Sequence, residues 1–268
     1  MPADSLRCVR DLVVSVPPVA IAAVLLIVFG AVSYASRVFV LRRRDEQARE
    51  ELAEQAKNLF ISVAATFAFF VGFSITVTWG AVTAAQSAVE QQAAAIKQIS
   101  WEIDNIPDRA ESTALRDALR DYVQTAATQD GALLARGQTA NLPSAGALDR
   151  FENALHAYTF GPRAPERVVA PLSAGVAALE TASATVSAVA VRAIPRPLAA
   201  LLIVVAVLGC VVVGITTLPY RRPILAFFWC AIPALSITVV LALAYPFALR
   251  SGVTLAPLQA VSANLFGS

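Results

Sequence analysis

The chain has 268 residues, of which 57% are hydrophobic and 15% charged, a combination outside the usual range for soluble domains. A net charge of +2 without a long run of Lys or Arg argues against nucleic-acid binding. One His and three Cys that lie far apart in the sequence cannot build a standard metal site. Phosphate-binding, hydrolase and metalloprotease motifs are missing, so we expect neither an enzyme nor a bound cofactor.

The charged residues avoid four stretches, each 24 to 32 residues long, at 12–36, 58–89, 197–220 and 223–249. An α-helix needs roughly 20 apolar residues to cross about 30 Å of hydrocarbon, so each stretch is long enough to span a bilayer. The sequence therefore predicts an all-α integral membrane protein with four transmembrane helices and a helical domain between the second and the third.

The N-terminal tail, 1–11, leads into transmembrane helix 1 at 12–36. A cleaved signal peptide is the alternative, but the apolar run is longer than a signal core and basic residues follow it rather than precede it. Residues 37–57 hold six basic and five acidic residues at helical spacing, which is typical of a short solvated helix or the arm of a helical hairpin. We interpret them as a basic juxtamembrane connector.

Transmembrane helix 2 is predicted at 58–84, and its helical pattern continues beyond the length that a bilayer requires. Isoleucine and valine recur at steps of three, four and seven until a proline ends the pattern, at Val89, Ile96, Ile99, Ile103, Ile106 and Pro107. A helix from 58 to 106 would be about 70 Å long, so its last third is expected to leave the membrane as a stalk.

Residues 85–196 are predicted to form this stalk and a soluble helical domain. An amphipathic helix at 108–130 is followed by a loop, marked by Gly131, Gly137, Pro143 and Gly146. Further helices are expected around 148–158 and 171–193. The single His156 is interpreted as a surface residue, with pH sensing as an alternative.

Transmembrane helix 3 is predicted at 197–220, where Ala206, Cys210 and Gly214 would let a neighbouring helix approach closely. Transmembrane helix 4 is predicted at 223–249, with aromatic residues near both ends that suit the membrane interfaces. Residues 250–268 form a C-terminal tail.

The short connector and the Arg221-Arg222 turn are the most basic short loops, and the positive-inside rule places both in the cytoplasm. Both termini and the helical domain would then be extracytoplasmic. Arg192 and Arg196, next to the third stretch, argue mildly for the opposite orientation.

The order of these parts over residues 40–265 resembles the bestrophin-like membrane proteins, a bacterial family classed as a domain of unknown function. The resemblance rests on short motifs whose order and spacing match, which include Trp79, Glu90, Pro107, Tyr122, Arg192, Pro246 and Phe247. It implies a multi-pass protein of the bacterial inner membrane and, through the family name, kinship with pentameric anion channels. The family itself has no established activity that could be transferred.

The chain departs from the family pattern at two positions. The family tends to have an acidic residue directly after the Trp, where this chain has Gly80. It also tends to have one just before the Pro-Phe pair, where this chain has Ala244 and Tyr245. If those acids handle ions in the family, that role is in doubt here.

One sustained polar stripe occurs in the predicted membrane helices, and it lies on the second. Its members recur at alternating steps of four and three, namely Ser62, Thr66, Phe69, Phe73, Thr76, Gly80, Thr83 and Ser87. In an oligomer these residues could line a pore with the two phenyl rings as a hydrophobic constriction. The alternative is that the hydroxyls bond to neighbouring helices or to their own backbone and that the rings pack.

Two classes of function follow from this stripe. The first is an oligomeric channel for small ions, with anions favoured by the resemblance. The second is a non-conducting, membrane-anchored interaction protein whose helical domain binds a partner. In both cases the expected partners are the lipid bilayer and further copies of the chain, and not nucleic acid.

Overall fold

The computed structural model describes residues 16–43, 45–161, 165–191, 194–220, 224–247 and 253–267. These residues form helices only: α1 Pro18–Arg43, α2 Glu46–Asp104, α3 Arg109–Thr128, α4 Asp130–Ala135, α5 Pro143–Thr159, α6 Glu166–Val191, α7 Arg196–Thr216, α8 Ile224–Ala244 and α9 Ala256–Phe266. The expected all-α class is therefore confirmed for the described part of the chain.

Five of these helices are long and apolar enough to cross a membrane, namely α1, α2, α6, α7 and α8. Four of them overlap the four predicted spans. The fifth, α6, belongs to the segment that was predicted to be a soluble domain. Its many Ala and Val residues make it apolar enough to qualify.

The chain divides into two compact units, of which the first comprises residues 1–80 and 193–244. Its core joins one face of α2 to α1, α7 and α8 through Phe29, Val63, Phe67, Leu202, Cys210, Cys230 and Ile237. Cys210 and Cys230 are buried free thiols in this core, where they act as packing residues. Cys8 lies outside the described residues.

Gly214 lies at the closest approach of α7 to α1. A Cβ atom at this position would overlap the Ser36 hydroxyl and the Ser33 carbonyl oxygen. The Ser36 hydroxyl contacts both helices, because it lies 2.8 Å from the Ser33 carbonyl oxygen and 3.3 Å from that of Val211. Together with the buried Ala206 and Cys210, Gly214 forms the contact that the small-residue series predicted.

Replacing Gly214 with Val should force α1 and α7 apart, because the new side chain would overlap the Ser33 carbonyl group, which cannot shift locally without disturbing helix α1. We expect a loss of about 1–3 kcal/mol or more in the free energy of unfolding, measured as a lower Tm of the detergent-purified protein. Gly209→Ala on the same helix is the control, since a Cβ there meets Val63 Cγ1 at an ordinary 3.7 Å. Equal Tm values for the two variants would contradict the close contact between Gly214 and α1.

The second unit comprises residues 81–192 and 245–268. Its core buries the predicted isoleucine stripe of α2 against side chains from α3, α5, α6 and α9, including Ile96, Ile99, Ile103, Leu119, Phe151, Leu172, Leu179 and Leu258. The second part of α2 therefore packs against other helices of this unit. Asp108 caps α3 by accepting hydrogen bonds from the backbone N–H groups of Ala110 and Glu111.

Several predicted boundaries differ from the structure. The helix that contains the second span begins at Glu46 rather than at residue 58, and α1 continues to Arg43, so the connector consists mainly of two helix ends. Gly131 and Gly146 lie inside α4 and α5, which leaves a loop only at 136–142.

The predicted C-terminal tail also contains structure, because it forms α9. This helix is held to α3 by the Arg120 guanidinium, which donates to the Phe266 carbonyl oxygen. The Gln259 amide donates to the Ala127 carbonyl oxygen at 3.5 Å. Leu258 and Val261 of α9 are fully buried in the core of the second unit.

Candidate functional site

The predicted polar stripe lies on one exposed face of α2. In the first unit this face holds Ser62, Thr66, Phe69, Phe73, Thr76 and Gly80, all of which are exposed. Phe69 and Phe73 are 68% and 51% exposed, whereas Phe67 on the opposite face is 6% exposed and belongs to the core. The two phenyl rings are therefore not core residues of the single chain.

The exposed face of α2 differs in chemistry from the exposed faces of the other apolar helices. On α1, α7 and α8 the exposed large residues are aliphatic or aromatic, for example Val24, Ile27, Ile203, Val204, Phe228 and Leu235. Such surfaces suit contact with lipid. On α2 hydroxyls and glycines accompany the two phenyl rings, although Ile61 and Val77 flank them.

The threonine hydroxyls on this face donate their hydrogens to the backbone of α2. Thr66 Oγ1 donates to the Ser62 carbonyl oxygen at 2.8 Å, and Thr76 Oγ1 donates to the Gly72 carbonyl oxygen at 3.0 Å. Each oxygen keeps lone pairs that point away from its own donated bond. In this arrangement the hydroxyls offer acceptors outward, which suit water or a cation better than an anion.

Fixed charge is missing from this part of α2, because residues 58–89 contain no ionisable side chain that is charged at neutral pH. Any discrimination between ions along this stretch must therefore come from dehydration at the phenyl rings and from hydroxyl dipoles rather than from a ring of charges.

Sequence reasoning missed Gly72, which lies on the same face between the two phenyl positions. A Cβ atom at Gly72 would meet nothing within 4 Å, so the surface is open there. The signal was available, because Gly72 is one turn from both Phe69 and Thr76, but the alternating steps of four and three had already placed Phe73 at this turn.

In the second unit the exposed face of α2 continues with Thr83, Ser87, Glu90, Lys97 and Trp101. Charged residues therefore follow the uncharged stretch on the same helix. The Gln86 amide donates to the Glu90 carboxylate at 3.3 Å. The predicted stripe ends at Ser87 because the uncharged stretch ends at residue 89.

The residues that carried the family resemblance fall at several different places. Trp79 is exposed on α2, Pro107 lies in the turn between α2 and α3, Pro246 is buried, and Phe247 packs on the second core. Arg192 lies outside the described residues.

Tyr122 has the clearest structural role among these residues. Its side chain is fully buried and accepts a hydrogen bond from the Gln92 amide at 2.5 Å, which joins α3 to α2. Burial raises the pKa of Tyr122 to about 12, so the phenol stays neutral.

A second polar cluster lies in an open cleft of about 290 Å³ between α5 and α6, lined in part by Glu152, His156 and Glu180. Burial and the facing Glu180 carboxylate raise the pKa of Glu152. The His156 ring lies 4.4 Å from the Phe160 ring, centre to centre. Within the described ranges, no three His, Cys, Asp or Glu side chains are grouped so that they could hold a metal ion.

The raised pKa of Glu152 predicts a pH-dependent stability. The folded state binds this proton more tightly than the unfolded chain, whose carboxyl has the ordinary pKa of 4.5. The stabilisation that this bound proton gives is complete below the unfolded-state pKa, and it is lost as the pH rises through the folded-state pKa. Glu180→Gln should therefore raise the Tm at neutral pH but not in acid, while Glu50→Gln, at an exposed position, should have neither effect. A neutral-pH Tm unchanged by Glu180→Gln would disprove the coupling.

Comparisons with known proteins agree on one fold. The Bestrophin-like domain model matches residues 23–258. Crystal structures of a bacterial bestrophin homolog from Klebsiella pneumoniae are similar to this chain. One point mutant has a TM-score of 0.67 and 14% identity, covering 92% of this chain and 99% of that one. A structure of the homolog phased with zinc has a TM-score of 0.66 and 15% identity, covering 91% and 96%. No curated protein matches the sequence.

Proposed function

The chain belongs to the bestrophin-like family, and we propose that it forms a homo-oligomeric membrane channel for small ions in which α2 of each subunit lines the pathway. Phe69 and Phe73 form the constriction, and the hydroxyls on either side of them keep the pathway wet. Anions are the proposed ions because the family name implies kinship with anion channels. This kinship is given more weight than the outward hydroxyl acceptors, which by themselves suit a cation better.

The observation that carries the proposal is the contrast between the two faces of α2. The face with Val63 and Phe67 packs inside the single chain, while the face with Phe69 and Phe73 is exposed. Exposed hydroxyl oxygens are less suited to hydrocarbon than the aliphatic faces of the other helices, because lipid offers no hydrogen-bond donor to their free lone pairs. In a water-filled pathway between copies of the chain, water would supply the hydrogen-bond partners that this face lacks in lipid.

The contacts of the second unit support four spans rather than five. α3 and α9 pack together in one compact unit, so both must lie on the same side of the membrane. The chain between them must then cross an even number of times. Crossings by α7 and α8 satisfy this condition, and a further crossing by α6 would break it. α6 instead places Leu172 and Leu179 in the core of the second unit.

We propose the bacterial inner membrane as the location and an extracytoplasmic second unit, because the short basic connector favours the cytoplasm. The test replaces the three native Cys and introduces one Cys at the exposed Gln138 or the exposed Gln47. A membrane-impermeant maleimide added to intact cells should label Cys at 138, and should label Cys at 47 only after lysis. The reverse pattern would invert the orientation.

The second candidate, a non-conducting interaction protein, is favoured by the hydroxyl hydrogen bonds of Thr66 and Thr76 to their own helix. These bonds satisfy the hydroxyl hydrogens without water. Subunit stoichiometry separates the two candidates, since light scattering of a detergent-purified pentamer would support a channel and a monomer or dimer would support the interaction protein.

Planar-bilayer recording of the purified protein tests the proposed activity directly. Under a salt gradient we expect a current whose reversal potential lies near the equilibrium potential of the anion. A reversal potential near the equilibrium potential of the cation would contradict the anion preference but would still support a channel. A folded oligomer that carries no current would leave the interaction protein as the function.

A further inference from the structure

A groove of about 400 Å³ lies between α1, the end of α7 and the start of α8, all within the first unit. Its walls are apolar along most of their length and are lined by Leu26, Ile27, Gly30, Ala31, Ala226 and Phe227. A Cβ atom at Gly30 would meet nothing within 4 Å, so this wall is open. The groove has room for roughly a dozen groups the size of a water molecule or a methylene.

One end of the groove is polar, with Ser33, Tyr34 and Arg37 in its lining. Arg37 Nη2 donates to the Tyr220 carbonyl oxygen at 2.5 Å. Arg37 Nη1 is shielded from water and has no hydrogen-bond partner among the described residues. A guanidinium is charged at every physiological pH, so a guanidinium nitrogen that is shielded and unpaired favours a hydrogen-bond acceptor nearby, and an anionic acceptor most of all.

The order of groups along α1 matches a phospholipid. From Leu26 to Arg37 the helix rises by about 16 Å, and over this distance the lining changes from apolar to polar to cationic. An acyl chain followed by a phosphate has the same order. Beyond Arg37 the sequence continues with Arg42, Arg43 and Arg44, which favour a net negative headgroup over one that carries a choline.

A second copy of the chain fits the groove less well. Its membrane helices could fill the apolar part, but the four uncharged stretches contain no Asp or Glu. A membrane helix from a neighbouring subunit that filled the apolar part would therefore bring no carboxylate with it. A carboxylate could reach Arg37 only from that subunit's connector, which holds six basic residues against five acidic ones. A phosphate supplies both the charge and several acceptor oxygens.

We propose that this groove binds one phospholipid with a net negative headgroup, with its acyl chain along Gly30 and its phosphate on the Arg37 guanidinium. The site does not depend on whether the protein conducts ions. It lies at the end of α1, and it would hold α1, α7 and α8 together through a molecule drawn from the bilayer.

The test measures which lipids the purified full-length protein retains. Protein in mixed micelles with equal amounts of phosphatidylglycerol and phosphatidylcholine is washed, and its bound lipids are extracted and quantified by mass spectrometry. The parent protein should retain phosphatidylglycerol in excess. Arg37→Gln should lower the affinity for phosphatidylglycerol by about tenfold, since a charge-assisted hydrogen bond is lost.

Two further variants separate the site from surface charge. Arg42→Gln removes the same charge from an exposed position on the same helix and should lower retention of phosphatidylglycerol much less than Arg37→Gln does, because Arg42 acts only through the general surface charge. Gly30→Leu fills the groove, leaves Arg37 in place and should lower retention of both lipids. If Arg37→Gln fails to fold, Gly30→Leu and Arg37→Lys decide the question, with Lys keeping part of the preference through its charge.

Several results would overturn the proposal. Equal losses in Arg37→Gln and Arg42→Gln would mean that only surface charge attracts the lipid. Displacement of phosphatidylglycerol by inorganic phosphate in the wash would mean that the groove does not hold the acyl chain. A change in subunit number in Gly30→Leu, with lipid retention unaltered, would make the groove a subunit interface.

Discussion

Replacing Phe69 and Phe73 together with Ala is expected to raise single-channel conductance without reducing the yield of folded protein. The two rings are the largest apolar groups on the exposed polar face of α2, and they are the proposed barrier to water. Because both rings are more than half exposed in the single chain, their removal leaves no cavity inside it. Bilayer recording under the same salt gradient measures the change.

Phe67→Ala is the matched control, because it removes the same ring from the same helix on the buried face. Phe67 is 6% exposed and belongs to the first core, so its truncation should cost about 3–5 kcal/mol and lower the folded yield. If the double variant instead loses its oligomeric state and the conductance does not rise, the rings pack between subunits. The proposal that Phe69 and Phe73 form a constriction would then be wrong.

The exposed face of α2 could be predicted from the sequence because two simple signals coincide there. Steps of four and three place Ser62, Thr66 and Thr76 on one side of any α-helix, whatever surrounds it. The lack of charge over 58–89 places that helix in a membrane. The buried isoleucines of the second unit could be predicted in the same way, since their spacing alone defines a stripe.

The boundaries of α2 could not be predicted in this way. The sequence predicted a start at residue 58 because charge ends there, but charge marks where a helix leaves the membrane and not where it begins. Glu46 starts the helix, and Arg49 joins it to α1 by donating to the Leu41 carbonyl oxygen at 2.6 Å. No pattern in the sequence records such a contact.

The C-terminal helix α9 was missed for a related reason. It is 11 residues long, and its apolar residues Leu258, Val261 and Phe266 are too few for a clear periodic signal. Tertiary packing stabilises so short a helix, since isolated helices of this length are marginal in water. Its partner α3 lies more than a hundred residues earlier in the chain, so only the folded structure brings the two together.

Replacing Ile99 with Asp is expected to unfold the second unit at a much lower temperature than the parent. Ile99 is fully buried on α2, and a Cβ atom at Gly175 of α6 would lie only 2.8 Å from its Cγ1 atom, so the site has no room for water. An unpaired carboxylate in this position should cost several kcal/mol in the free energy of unfolding.

Gln98→Asp is the control for this substitution, because it introduces the same charge at the adjacent, exposed position. It should melt close to the parent. A second check uses pH: protonation neutralises the buried carboxyl of Ile99→Asp, so acid should narrow its difference from Gln98→Asp. If the two variants have the same Tm at every pH, the isoleucine stripe faces solvent and does not form the core of the second unit.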